Sequence, residues 1–132
     1  MTSREDLIKE WIELADHDLG TAKIILERVP EYKEIIGFHC QQSVEKYLKA
    51  LLTYNEIEFA KTHDLQFLIY MLNEKVERIK IVLKDKADLL TSFAVDVRYP
   101  LGRFQFHKTE MEKLVSIADE FRKEIISQLN LK

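Results

Sequence analysis

Turn-forming residues are scarce in this sequence. Its 132 residues include only three glycines and two prolines, the two residue types that most disfavour the interior of a helix. Leucine, isoleucine, lysine and glutamate are dense throughout. We therefore predict an all-α fold, in which long helices are joined by short loops.

Size and charge narrow the class of protein further. Residues 1–132 fit a single domain, and the hydrophobic fraction of 46% is enough to form a core. Charged residues make up 33% of the chain, but the net charge is only −3, which argues against a broad nucleic-acid-binding surface. The charged N-terminus and the absence of a long apolar run predict a cytoplasmic protein with no membrane span.

Apolar residues recur at spacings of three and four, which predicts five helices. Ser3 and Asp6 form a possible capping box for the first helix, and Pro30 is expected to end it. Asn55 suits the end of the second helix. The predicted ranges are 4–29, 31–54, 62–76 with an N-cap at Thr62, 81–97, and about 109–129 with a capping box of Thr109 and Glu112. We expect an up-and-down antiparallel bundle of about five helices with a four-helix core.

The second helix has two contrasting faces. Its apolar face comprises Cys40, Val44, Tyr47, Leu48 and Leu51, and we expect Cys40 to be a buried small hydrophobe. The opposite face comprises Gln42, Glu45, Lys46 and Lys49. This polar face is either solvated, with an i,i+4 ion pair between Glu45 and Lys49, or part of a ligand-binding surface.

Asp18 falls on the apolar stripe of the first helix. A buried carboxylate needs a cation or hydrogen-bond donors, because burying an unpaired charge is very unfavourable. Two interpretations are open. Asp18 reaches solvent at the edge of the bundle, or it orients a functional cation, for which Arg98 is the candidate partner.

Three further polar residues stand beside predicted helix ends. Arg98 and Tyr99 precede Pro100 and can simply end the fourth helix; alternatively, the guanidinium binds phosphate and the tyrosine ring stacks on a base. His63 is predicted in the first turn of the third helix, where the helix dipole favours a neutral imidazole. A neutral His63 is a candidate base or base-edge acceptor; the alternative is that this turn, with its capping neighbours Thr62 and Asp64, has only a structural duty.

Other kinds of site are not indicated. The four histidines share no metal-ligand spacing, and a glycine-rich phosphate loop and a nucleophile elbow are both absent. We therefore predict neither a metal nor a cofactor.

Four segments together resemble the HEPN domain family, the "higher eukaryotes and prokaryotes nucleotide-binding" proteins. The segments are Ala15–Leu19 (ADHDL), Gln41–Leu52 (QQSVEKYLKALL), Thr62–Leu65 (THDL) and Arg98–Pro100 (RYP). The resemblance implies a helical bundle, often a homodimer, that is frequently encoded beside a minimal nucleotidyltransferase. That enzyme is paired with it as toxin and antitoxin or uses it as a substrate-binding companion.

Many HEPN proteins are metal-independent ribonucleases with a characteristic Arg–His motif, and this chain departs from that motif. Eight residues separate Arg98 from His107, and three separate Arg103 from His107. Neither separation matches the family's spacing, so the resemblance implies the fold and nucleotide binding more strongly than ribonuclease activity.

Three functions follow as hypotheses. The first is a nucleotide- or substrate-binding module in which Lys46, Lys49 and Arg98 hold phosphate and Tyr99 stacks. The second is a ribonuclease toxin, in which Arg98 stabilises charge and His107 or His63 moves protons. The third is a structural dimerisation module that uses the first and fifth helices. The candidate ligand-binding residues are Asp18, Gln42, Glu45, Lys46, Lys49, His63, Arg98 and Tyr99.

Overall fold

A computed structural model of the chain describes residues 3–75, 79–96 and 107–129. These residues form five helices and no strand, which confirms the all-α prediction. The helices are α1 (Arg4–Arg28), α2 (Lys33–Tyr54), α3 (Leu65–Lys75), α4 (Ile81–Asp96) and α5 (Lys108–Gln128). Arg98, Tyr99 and Arg103 lie outside the described residues, so the statements made about them from the sequence stay predictions.

The predicted cap at the start of α1 and the predicted cap at the end of α2 are confirmed, but α2 begins two residues later than predicted. The backbone N–H of Asp6 donates to Ser3 Oγ over 3.1 Å, and the Asp6 carboxylate accepts from the Ser3 N–H, so the capping box is present. Asn55 is the C-cap of α2, and its side-chain amide donates to the Leu51 carbonyl. Pro30 lies in the turn after α1, so α2 begins at Lys33 and not at residue 31.

The N-caps predicted for α3 and α5 are wrong by two residues each. The Asp64 carboxylate accepts the N–H groups of Gln66 and Phe67, so Asp64, and not Thr62, caps α3. At α5 the N-cap is His107, and its backbone N–H donates to the Glu110 carboxylate over 2.8 Å. In both places a carboxylate, and not the hydroxyl of the predicted threonine cap, accepts the free N–H groups at the start of the helix.

Ion pairs between helices show how the bundle runs. As residue number rises along one helix, it falls along the partner, which makes α1 antiparallel to α5 and α4 antiparallel to α5. The pairs are Lys23–Asp119 and Asp16–Arg122 for α1 with α5, and Lys80–Glu124 and Lys86–Glu120 for α4 with α5. Helices α1, α2, α4 and α5 form the four-helix core, and α3 packs on α2 and α4.

Helix α2 lies at the centre and packs against each of the other four helices. Its apolar face is fully buried, and Cys40 is a buried hydrophobe as predicted. Half of its polar face is buried too: Glu45 is 2% exposed and Lys49 is 6% exposed, whereas Gln42 and Lys46 are partly exposed. The prediction of a solvated face is therefore wrong for Glu45 and Lys49, because four neighbouring helices leave α2 with little open surface. None of the described helices is long and apolar enough to cross a membrane.

Candidate functional site

Two buried carboxylates form hydrogen bonds with lysine and histidine side chains from α2 and from the loop before α3. Asp18 on α1 and Glu45 on α2 are 9% and 2% exposed. Each accepts hydrogen bonds from one lysine ammonium and one histidine Nδ1. Two carboxylate–histidine–lysine clusters result, and in each the buried negative charge has both oxygens paired, as burial requires.

The first cluster joins α1 to α2. Asp18 Oδ1 lies 2.8 Å from His39 Nδ1, and Asp18 Oδ2 lies 2.5 Å from Lys46 Nζ. Asp18 is therefore largely buried, with its side chain 12% exposed, and two donors from α2 satisfy its carboxylate. The predicted partner Arg98 lies outside the described residues, so that pairing stays a prediction.

The second cluster joins α2 to the loop before α3. Lys49 Nζ donates to Glu45 Oε2 over 2.9 Å, and His63 Nδ1 lies 2.9 Å from Glu45 Oε1. The predicted i,i+4 pair is thus present, but it is buried. The Lys49 ammonium also lies 5.5 Å from the ring centroid of Trp11 and 5.9 Å from that of Phe59. These rings replace water around the cation and hold it in place.

His63 lies in the loop two residues before α3, and not in the first turn of that helix. Its orientation is set by Glu45 and not by the helix dipole. An ionised carboxylate only accepts hydrogen bonds, so the Nδ1 atom carries the proton of this contact. The side chain is 80% exposed, and within the described ranges Nε2 has no hydrogen-bond partner.

An open pocket of about 480 Å³ adjoins His63. Its lining comprises Phe38, Gln41, Gln42 and His63. The Phe38 ring is 43% exposed, and the buried Gln41 side-chain oxygen has no hydrogen-bond partner among the described residues. The pocket therefore offers an aromatic face, two amides and an imidazole, a combination that suits a flat polar ligand.

The structure brings two of the predicted ligand-binding residues, Gln42 and His63, to this pocket. The two carboxylate–histidine–lysine clusters hold four of the others by hydrogen bonds: Asp18, Glu45, Lys46 and Lys49. His107 caps α5 with an exposed side chain.

Sequence reasoning missed Phe38, Gln41 and His39. The spacing of residues 38, 41 and 42 places them on one face of α2, so the helical period gave a signal that could have identified the pocket wall. His39 carried no comparable signal, because its partner Asp18 comes from another helix.

A third polar cluster, also missed, ties together α1, α2 and α5. The Asp16 carboxylate accepts from the buried Tyr47 hydroxyl over 2.5 Å and from Arg122 Nε over 2.8 Å. Burial alone would raise the pKa of Asp16, but hydrogen bonds from Arg122 and Tyr47 and the Arg122 charge outweigh it and lower that pKa. Burial and the adjacent carboxylate raise the pKa of Tyr47, so its hydroxyl remains a donor. This cluster stabilises the junction of the three helices.

In the described parts of the chain, no group of three or more His, Cys, Asp and Glu side chains is arranged to hold a metal ion.

The sequence matches a known family model, and the fold is similar to solved structures. The family model for the HEPN domain matches residues 8–129. Among solved structures, ST0689, an archaeal HEPN homologue, is similar with a TM-score of 0.72 and 21% identity over 93% of this chain and 98% of that one. TT1696 from Thermus thermophilus is similar with a TM-score of 0.77 and 23% identity over 92% of this chain and 98% of that one. At these identities the two structures show a shared fold. No curated protein matches the sequence.

Proposed function

The chain belongs to the HEPN domain family, and on that premise we propose that it is a nucleotide- or substrate-binding module. It works with a minimal nucleotidyltransferase, either as one member of a toxin–antitoxin pair or as an accessory partner. The partner enzyme is proposed from the family resemblance, and the binding role from the pocket.

The observation that carries the binding role is the pocket of Phe38, Gln41, Gln42 and His63. Aromatic rings bind bases by stacking, and side-chain amides bind base edges by hydrogen bonds. In this proposal the base stacks on Phe38, the two glutamines contact its edge, and His63 faces the sugar. A volume of about 480 Å³ falls within the range of small-ligand pockets.

The other predicted ligand-binding residues divide into two roles. Lys46 is partly exposed and remains a proposed phosphate ligand, together with Arg98, and Tyr99 remains a proposed stacking residue. Lys49 and Glu45 are too deeply buried to reach a ligand without moving. Their proposed role, and that of Asp18, is to hold the residues that do touch it.

Isothermal titration calorimetry with a panel of nucleoside mono- and triphosphates tests the binding role. Phe38→Ala is expected to weaken binding, whereas Phe67→Ala is the matched control, because Phe67 is 45% exposed but does not line the pocket. His63→Ala is expected to weaken binding and His17→Ala to leave it unchanged. Failure of the wild-type protein to bind any nucleotide, or equal losses in the Phe38 and Phe67 variants, would refute the proposal.

A homodimer is part of the same proposal, and α1 supports it. Leu7 and Leu14 are exposed on one face of this helix and line a shallow groove together with Trp11 and Glu10. Sedimentation equilibrium is expected to give a dimer that Leu7→Glu dissociates, whereas Ile24→Glu, elsewhere on α1, does not. A dimer that binds no nucleotide would instead favour the structural dimerisation module.

The partner is tested by co-expression. A minimal nucleotidyltransferase encoded next to this gene is expected to co-purify with the protein, and we expect both to be cytoplasmic. If the adjacent genes encode no such enzyme, the partner part of the proposal fails while the binding part is still decided by calorimetry.

A further inference from the structure

The contact between Glu45 and His63 joins a buried carboxylate to an exposed imidazole that lines the pocket. We propose that Glu45, with its charge neutralised by Lys49, is a positioning residue that holds His63 in the Nδ1–H form. His63 Nε2 then accepts a hydrogen bond from a ribose hydroxyl of the bound nucleotide. The ligand part of this inference rests on the proposed function, and the positioning part does not.

The geometry of Glu45 leaves one carboxylate oxygen for His63. Lys49 occupies Oε2, and the side chain is buried, so Oε1 is aimed at the loop where His63 Nδ1 lies 2.9 Å away. A neutral imidazole has one ring proton, and the carboxylate, which can only accept, fixes it on Nδ1. The lone pair is thereby placed on Nε2.

A ring nitrogen with a lone pair requires a donor from the ligand. Phosphate oxygens are acceptors and do not match it, whereas a sugar hydroxyl does. The pocket also offers Phe38 for the base, so a hydroxyl of the adjoining sugar is the donor expected next to His63. The same site is therefore expected to favour ribonucleotides over deoxyribonucleotides.

Nitrogen-15 NMR of the histidine rings tests the positioning part without any ligand. At a pH at which the imidazoles are neutral, His63 is expected in the Nδ1–H form, as is His39, whose Nδ1 contacts Asp18. His17 is the internal reference, since its ring makes only a 3.9 Å contact with an exposed Glu13. A wild-type His63 spectrum like that of His17 would overturn the proposal.

A double variant, Glu45→Leu with Lys49→Met, removes both charges together, so that neither is left buried and unpaired. In this variant His63 is expected to give nitrogen shifts like those of His17, while His39 keeps its own. An unchanged His63 tautomer in the folded double variant would show that Glu45 does not position the ring.

Calorimetry with AMP, 2′-deoxy-AMP and 3′-deoxy-AMP tests the ligand part. Loss of one hydrogen bond is expected to weaken binding of at least one deoxy analogue about two- to tenfold. The double variant is expected to bind all three equally. Equal wild-type affinities would overturn the ligand part. Absence of all nucleotide binding would refute the proposed function, a result distinct from a failed tautomer test.

Discussion

Lys49→Met isolates the energetic role of the buried ion pair on α2. The substitution keeps most of the side-chain volume but leaves the Glu45 carboxylate, 2% exposed, without its cation. Removing one partner of a buried pair destabilises proteins by about 3–5 kcal/mol, because the remaining charge is uncompensated. Loss of the contacts of the ammonium with Trp11 and Phe59 acts in the same direction. We therefore expect a loss of about 3–5 kcal/mol, which is a large share of the stability of a domain of this size.

Urea denaturation followed by circular dichroism measures this loss, and the chain provides a matched control. Glu5 and Lys9 form an ion pair with the same i,i+4 spacing, and both side chains are about half exposed. Lys9→Met is therefore expected to change the free energy of unfolding by at most about 0.5 kcal/mol, since exposed pairs contribute little. The two variants make the same substitution in an i,i+4 pair and differ in burial and in the aromatic contacts of Lys49.

The single variant Glu45→Leu and the double variant Glu45→Leu with Lys49→Met complete a double-mutant cycle with Lys49→Met. Replacing a buried ion pair by apolar residues of similar size is often nearly neutral, so the double variant is expected to be more stable than Lys49→Met alone. If Lys49→Met loses no more stability than Lys9→Met, or if the double variant is less stable than either single variant, the buried pair does not have the role assigned to it.

Three further predictions concern the core. The Asp16 pKa is lowered in the folded state, so its contribution to stability is fully present above the ordinary aspartate pKa and is lost as pH falls from there through the lowered folded-state pKa; the difference in unfolding free energy between wild type and Asp16→Asn should shrink on acidification in urea titrations. Tyr47→Phe removes a donor to that carboxylate, which keeps its bond to Arg122, and should lower the free energy of unfolding by about 1–2 kcal/mol by the same method. Burial raises the pKa of Cys40 to about 12, so the thiol should react with a disulfide reagent only as fast as the protein unfolds; rapid reaction of the native protein would contradict its burial.

The fold was largely predictable because helical periodicity is a local property. The spacing of apolar residues located five helices, and the end signals at Ser3 and Asn55 depend on neighbours three or four residues away. Competing local signals were harder to rank. Thr62 and Asp64 are both plausible caps, and only the conformation of the loop decides which one faces the free N–H groups.

The site was less predictable because its contacts join distant parts of the chain. Asp18 pairs with His39 and Lys46, and Glu45 pairs with His63, so these clusters depend on how α1, α2 and the loop before α3 pack. The polar stripe on α2 was visible in the sequence. Its burial was not, since an amphipathic pattern alone does not show how many neighbours cover a helix.

His63, the proposed ligand contact, lies in the loop between α2 and α3, whereas the Glu45 carboxylate that orients it lies in the core. His63 is 80% exposed, while its carboxylate partner is buried on a helix that packs against each of the other four. Exchange of the residue at position 63 would, under the proposed binding role, alter recognition, and it preserves stability only where the new side chain still donates to the buried Glu45 carboxylate. Changes along α2 disturb several helices at once. In the proposed role, specificity would therefore diversify through a short surface loop, within the limit set by that one buried acceptor.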